Sequence, residues 1–386
     1  AQQDDGCVAL NVAHWASCKR RGEFWPMNLL SFSLYTAIAG FTLYLLIVGK
    51  ALILPIVVAV VFWYLIATLA RTYSQLGTWG FRLPGWLAMT FAVLTFVALL
   101  VAFVDLTRNN VEQVVAAAPA YQANLEKLLN QALAFLGIQE VPTVDQLRKQ
   151  IDLGNIAGQL AAGLASFAGN VGIILIYVVF LLVEQKSFGT KIEVLVDSDP
   201  ARIARVRRIL DRVNADVRTY IWVKTLLSLA TGGISYLVMI AVGVDLAEFW
   251  AVLIFLLNFI PTIGSILGIV FPALLTLVQF DDPLTPFLIV SILLGATQLV
   301  IGNVVEPKMM GRSLSISPVV ILISLAVWGS IWGVIGMFLS VPIMVIAMIV
   351  MAQFKATRPI AILLSSDGNV SHLEDEEPLD EAPASA

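Results

Sequence analysis

Apolar runs long enough to cross a bilayer, about 20 residues each, recur along this chain at 29–48, 51–70, 86–104, 169–184, 219–242, 247–279, 284–304 and 317–350. Lipid offers the backbone no hydrogen bonds, so runs of this kind cross as helices that satisfy their own N–H and C=O groups. A soluble domain would need about a quarter of its residues charged; here 13% are charged and 59% are hydrophobic. The expected fold is all-α: a polytopic membrane protein with about eight transmembrane helices, some of them Pro/Gly-broken or re-entrant, plus amphipathic surface helices.

The runs at 247–279 and 317–350 are too long for one untilted crossing. The first contains Pro261 and Pro272 with Gly264 and Gly268 between them, and the second contains Gly333, Gly336 and Pro342. Each either kinks or turns back as a hairpin. Residues 258–312 also carry Pro307, Gly311 and the polar Asn258, Asn303 and Glu306. Backbone groups freed at membrane depth survive only inside protein or beside water, and paired interrupted segments point to a transporter site. Asn258, Asn303, Glu306 and Gln298 are therefore the expected solute or ion path. Pro261, Gly264, Pro272, Pro307, Gly311 and Pro342 are the expected breaks or hinges.

The polar stretches set the remaining organisation. Residues 1–28 form a leader with Lys19, Arg20 and Arg21, and Met27 is the expected start. The run at 29–48 has no small-residue cleavage site and flows into a second span, so it reads as a transmembrane helix. Gly49 and Lys50 alone separate these two spans, which implies an antiparallel hairpin; the third closes a block at 29–104. Residues 105–168 leave the membrane. There Tyr121, Leu125, Leu128, Leu129, Ala132 and Leu136 recur at helical spacing. Gly137 ends that helix, and Thr143 with Gln146 has the form of a capping box. Small residues at every fourth place from Gly154 to Gly169 allow close helix approach, within one subunit or between two.

After the span at 169–184, residues 185–218 are the most basic segment. Arg202, Arg205, Arg208 and Arg212 are suited to anionic headgroups at a cytoplasmic interface. A core at 219–350 and an acidic tail at 351–386 follow. If every run crosses once, both termini are cytoplasmic, 105–168 faces outward and Asp281 and Asp282 lie inside.

Cys7, Cys18, His14 and His372 all lie in the leader or the tail. No Cys or His chemistry is expected at membrane depth, and neither a metal site, a cofactor nor a catalytic residue is read from the sequence. No P-loop or GxSxG motif occurs. Nothing pairs basic with aromatic residues for nucleic acid. An intramembrane enzyme and a non-transporting scaffold using 105–168 as its contact surface are weaker readings than transport.

Several motifs in order resemble one family. Asn258-Phe259-Ile260-Pro261 with Ile263 and Gly264 comes first; the run from Asn303 through Glu306, Pro307 and Lys308 to Gly311 and Arg312 follows; then come Ser317-Pro318 and Gly333, Gly336, Met337, Leu339, Ser340, Val341 and Pro342. This order is similar to that of the autoinducer-2 exporter (AI-2E) family of bacterial permeases. The resemblance is continuous over about 200–350. It implies a bacterial inner-membrane transporter of a small molecule that is homo-oligomeric, with a pentamer as the assembly the resemblance suggests. Its relatives are assigned to export of autoinducer-2 or to antiport of Na+ against H+. Ser317 stands where the family commonly has His.

Among the candidates, Glu306 is expected either to serve as a gate or ion site or to pair with Lys308 or Arg312 at the membrane edge. Lys224 is expected to snorkel to the headgroups. Asn258 and Asn303 could contact a polar ligand or satisfy backbone groups freed by the neighbouring prolines. Gln279 and Gln298 could line a path, and Trp328 and Trp332 could stack on a ligand.

Overall fold

The computed structural model describes residues 29–75, 83–135, 153–195, 200–310, 316–354 and 356–368. The leader, the Thr143–Gln146 capping box, Gly311, Arg312 and the chain beyond 368 lie outside them. The chain divides into two units, Ala1–Lys50 and Ala51–Ala386. In the first, α1 (Leu29–Val48) ends where the Gly49 N–H donates to the Leu45 carbonyl at 2.8 Å. Among its described side chains Leu34, Ile38, Phe41, Leu45 and Val48 are exposed.

The second unit contains α2 (Lys50–Gln75) from its second residue on, α3 (Gly85–Phe135), α4 (Leu153–Leu195), α5 (Pro200–Val242), α6 (Ala247–Leu257), α7 (Ile263–Gln279) and α8 (Leu284–Val300). A π-helical turn (Ile301–Val305) joins α8 to the short α9 (Glu306–Met310), and α10 (Pro318–Ala352) and α11 (Arg358–Leu364) follow. No strand occurs among the described residues; one bridge pairs Ile316 with Ser365. Phe180, Val183, Leu229, Leu237, Ile292 and Leu299 each stand 63–68% exposed, which a water-facing surface would not tolerate in such number and a lipid-facing one requires. The protein is an all-α polytopic membrane protein.

Three helices are longer than any membrane is thick. At 1.5 Å per residue, the 51 residues of α3 extend about 76 Å. The amphipathic stretch through Tyr121 and Leu128 therefore continues the third apolar run within one helix. The basic stretch at 200–218 likewise runs on without a break into the fifth apolar run as α5.

The sixth run is not a kinked span. α6 and α7 are the arms of a hairpin: a Cβ on Gly264 would lie 1.7 Å from the Leu257 carbonyl oxygen, and one on Gly268 would lie 3.3 Å from Ile254. The chain turns at Asn258–Thr262, beside Pro261, whereas Pro272 is buried inside α7. α10 is also folded back. The Ser324 hydroxyl donates to the Ser340 carbonyl at 3.1 Å, although the two would be about 24 Å apart along one helix. A Cβ on Gly336 would meet the Trp328 carbonyl oxygen at 1.9 Å. The turn is at Gly333 (φ 64°, ψ −143°), and Pro342 is buried within the second arm.

The two hairpins open toward opposite ends of the molecule. At one end the Gln279 side chain accepts from the Asp245 N–H and donates to the Gly243 carbonyl, tying the hairpin's two strands of chain together, so it closes a loop and does not line a path. Residues of α3 reach the same end: Tyr121 donates to Asp245 at 2.8 Å, Asn124 to the Val278 carbonyl at 2.9 Å, and Lys127 pairs with Asp281 at 3.2 Å. Burial, then the Asp245 carboxylate, raises the Tyr121 phenol above its ordinary pKa, so the hydroxyl remains a donor. At the other end Arg205 donates to the Gln353 carbonyl, and the Ser317 N–H donates to the Leu364 carbonyl. α5 connects the two ends.

One expectation is corrected here. Single crossings would put 105–168 and Asp281 on opposite sides, yet Lys127 and Asp281 touch. The sixth run returns to the side it left, as the eighth does on the other side, and the two reversals cancel in the position of the C-terminal segment. In a variant without Cys7 and Cys18, cysteines placed singly at 127 and at 281 are expected to react with a membrane-impermeant maleimide from the same side in spheroplasts. Reaction from opposite sides would contradict the hairpin.

Candidate functional site

The hairpin tips meet inside the protein. Phe259, at the first turn, stacks on Phe338, just past the second turn, with centroids 4.7 Å apart and ring planes at 27°. Beside this contact the turn at Asn258–Thr262 leaves α6 and α7 with ends that cannot continue each other's ladder. The local backbone shows how tightly the reversal is made: the Ile263 N–H donates to the Pro261 carbonyl at 2.6 Å across Thr262, whose φ and ψ are 62° and −59°. This is the rare positive-φ γ-turn, and a β-branched residue is strained in it. Thr262→Gly is expected to raise stability by about 1 kcal/mol, read as a higher unfolding temperature in detergent.

Asn258 closes α6 and is 3% exposed. Its amide donates to the Ser228 hydroxyl of α5 at 3.1 Å, and its carbonyl oxygen accepts from the Gln298 amide of α8 at 3.0 Å. The same Gln298 amide reaches the Ser265 hydroxyl at the start of α7, at 2.5 Å. Four polar side chains from α5, the first hairpin and α8 thus satisfy one another at a depth where lipid would satisfy none.

Ser228 belongs to a longer row. Lys224, Ser228, Thr231 and Ser235 follow at intervals of four, three and four residues, hence on one face of α5, and are 4%, 0%, 1% and 2% exposed. Lys224 does not snorkel. Its ammonium pairs with Glu306 at 2.6 Å, with side chains 5% and 23% exposed. Glu306 thus pairs across the fold, and not with Lys308, which is exposed on α9.

The route by which Glu306 reaches α5 is local. Pro307 cannot donate to the carbonyl four residues back, and the ladder slips into the π-helical turn Ile301–Val305 directly before it. Each extra residue in a helix turns the following side chains by about 100°. Glu306 consequently faces α5, while Asn303 is exposed and, among the described residues, makes no hydrogen bond to the other site residues.

Of the expected path residues, Asn258 and Gln298 are therefore brought together, Glu306 lies along the same α5 row through Lys224, and Asn303 stands apart. Gly311 is outside the described residues. Trp328 and Trp332 sit at the second tip with ring centroids 5.0 Å apart, packed on each other. Sequence reading missed Ser228 and Ser265 and misplaced Lys224. The 224–228–231–235 row, polar within an apolar helix, was the available signal.

Among the described residues no group of three or more His, Cys, Asp or Glu could hold a metal ion. A cavity of roughly 100 Å³ lies between α2, α5 and the tips, lined by Val61, Tyr64, Tyr220, Phe259, Phe338 and Pro342.

Residues 34–356 match the model of a family described as AI-2E family transporter. The chain is 31% identical over 305 residues to "Putative transport protein YhhT" of Escherichia coli (strain K12), covering 76% of this chain and 84% of that one. It is 30% identical over 294 residues to "AI-2 transport protein TqsA" of the same organism, covering 74% and 82%.

Proposed function

This chain belongs to the AI-2E family of membrane transporters, and from that premise we propose that it exports a small polar solute such as autoinducer-2 by alternating access between its two hairpins. The single observation that supports this reading most is the meeting of two oppositely oriented hairpins at the Phe259–Phe338 stack, beside the buried Ser228–Asn258–Gln298–Ser265 group. A site reached by one hairpin from each side can open to one face while the other tip keeps it closed. The amides and hydroxyls of the group can exchange their mutual hydrogen bonds for those of a hydroxylated solute.

The basic end of α5 is cytoplasmic in this proposal, by the preference of Arg and Lys for that side, and the membrane is the bacterial inner membrane. Both termini are then cytoplasmic, and Asp281 is not.

The test is efflux of autoinducer-2 from sealed liposomes holding the purified protein. Release well above that from protein-free vesicles, and lost when Asn258 and Gln298 are both replaced by Ala, is the expected result. Release equal to the protein-free leak would overturn the substrate assignment.

A further inference from the structure

We propose that the cavity between α2, α5 and the second arm of α10 holds one acyl chain of an anionic phospholipid, with the headgroup at the arginine-bearing end of α5 and the chain reaching inward to the Phe259–Phe338 stack. The site is separate from the buried Ser228–Asn258–Gln298–Ser265 group and does not depend on which solute is moved.

The chemistry of the wall selects hydrocarbon. Among the residues around this space of roughly 100 Å³, only Tyr64 and Tyr220 carry a polar side-chain atom. The Tyr64 hydroxyl donates to the Asn214 Oδ1 at 2.5 Å, and the Tyr220 ring lines the cavity while its hydroxyl oxygen is buried in protein. A hydroxylated solute would therefore lose its hydrogen bonds to water and gain none. Water is not held either: an apolar cavity of about 150 Å³ stays dry and takes benzene. Left empty, the wall forfeits its dispersion contacts on one side.

The shape of the cavity is that of a chain. On α2 its lining extends from Val57 to Tyr64, about 10 Å along a helix, and on α10 from Phe338 to Ile346, about 12 Å. Both helices run from the stacked rings toward one end of α5, since Tyr64 reaches Asn214 there and Arg205 donates to the Gln353 carbonyl. Near that end Ile346 is 38% exposed, so the cavity is continuous with the lipid-facing surface. A lipid chain can enter sideways without crossing a polar layer.

The charge at the same end selects the headgroup. Residues 200–218 of α5 hold six arginines against two aspartates. Arg218 lies one turn beyond Asn214 on the same face, where the apolar run of α5 begins. Basic side chains at this level attract anionic lipid. A chain seated here rests its inner end on Phe259 and Phe338, so the lipid bears directly on the contact between the two hairpin tips.

The test uses the full chain in phosphatidylethanolamine vesicles with a trace of phosphatidylglycerol carrying a diazirine midway along one acyl chain. After illumination and digestion, label is expected on the Val57–Tyr64 face of α2 and on 338–346 of α10. Val61→Phe fills the cavity and is expected to lower that label about tenfold, the worth of burying about two methylenes. Label on Leu237 and Leu299, which face lipid elsewhere, should stay unchanged and reports that the variant is folded. Arg218→Gln is expected to lower the cavity label about fivefold, and a phosphatidylcholine probe with the same chain should give the low value from the start. Cavity label that Val61→Phe leaves unchanged would overturn the proposal. Equal label from the phosphatidylcholine probe would overturn the choice of an anionic headgroup, and stronger label from a free fatty acid with the same diazirine would overturn the choice of a phospholipid.

Discussion

Gly336→Ala is expected to prevent the second hairpin from closing. A Cβ there would lie 1.9 Å from the Trp328 carbonyl oxygen and 3.0 Å from the Trp332 Cβ, and the first of these is main chain that cannot swing aside. Relief requires the two arms of α10 to part along their length, which also separates Ser324 from Ser340 and draws Phe338 away from Phe259. Overpacking that side chains can absorb costs about 1–3 kcal/mol; this change is expected at or beyond the top of that range. Gly264→Ala should behave in the same way at the first hairpin, where the gap is 1.7 Å. Gly233→Ala serves as the control, since nothing lies within 4 Å of its added methyl group and α5 is helical there; helix propensity favours it by roughly 0.5–1 kcal/mol. Unfolding temperature and monodisperse yield in detergent would report the ranking. Gly336→Ala as stable as Gly233→Ala would mean that α10 is not folded back.

The second large effect concerns the ion pair. Lys224→Met leaves the Glu306 carboxylate without its partner, and Glu306→Gln leaves the ammonium of a residue only 4% exposed. Removing one member of a fully buried pair costs about 3–5 kcal/mol. Glu306 keeps some access to water, so about 3 kcal/mol is expected for each single change. Lys224→Met combined with Glu306→Gln should recover most of that loss, because no charge is left unpaired. The coupling energy from the four proteins' unfolding free energies checks this. Single variants that each cost under about 0.5 kcal/mol would place both groups in contact with water.

Which parts of this arrangement could be read from the sequence follows from what a periodicity can encode. The apolar runs announced helices in lipid, because length and composition suffice for that. Whether 247–279 crosses or returns was not legible: a run apolar on every face carries no direction, and Pro261 and Pro272 look alike in sequence although one sits at the turn and the other inside a helical arm. The decision lies in contacts between residues seven or eight apart, Gly264 with Leu257 and Gly336 with Trp328, which stand about two turns from each other in a continuous helix and meet only across a hairpin turn.

The partner of Glu306 was hidden for a related reason. Lys308 is its neighbour in the chain, whereas Lys224 is 82 residues away. Asn303 and Glu306 are three apart and would share a face of a regular α-helix; the π-helical turn between them rotates one out and the other in. That turn follows from Pro307, but its register could not be anticipated from the proline alone. The row Lys224, Ser228, Thr231 and Ser235 was legible, and it marks the face of α5 on which both the ion pair and Asn258 converge.

The most direct measurement is the reactivity of a cysteine placed at Ser265, which contacts Gln298 at the first hairpin tip, in a background without Cys7 and Cys18. The protein is reconstituted in sealed vesicles, and a membrane-impermeant thiol reagent is supplied to one side at a time. Alternating access at the tips predicts labelling from each side in separate experiments, slowed from both when autoinducer-2 is present. Labelling from one side only, unchanged by solute, would contradict a path that crosses the membrane between the hairpins.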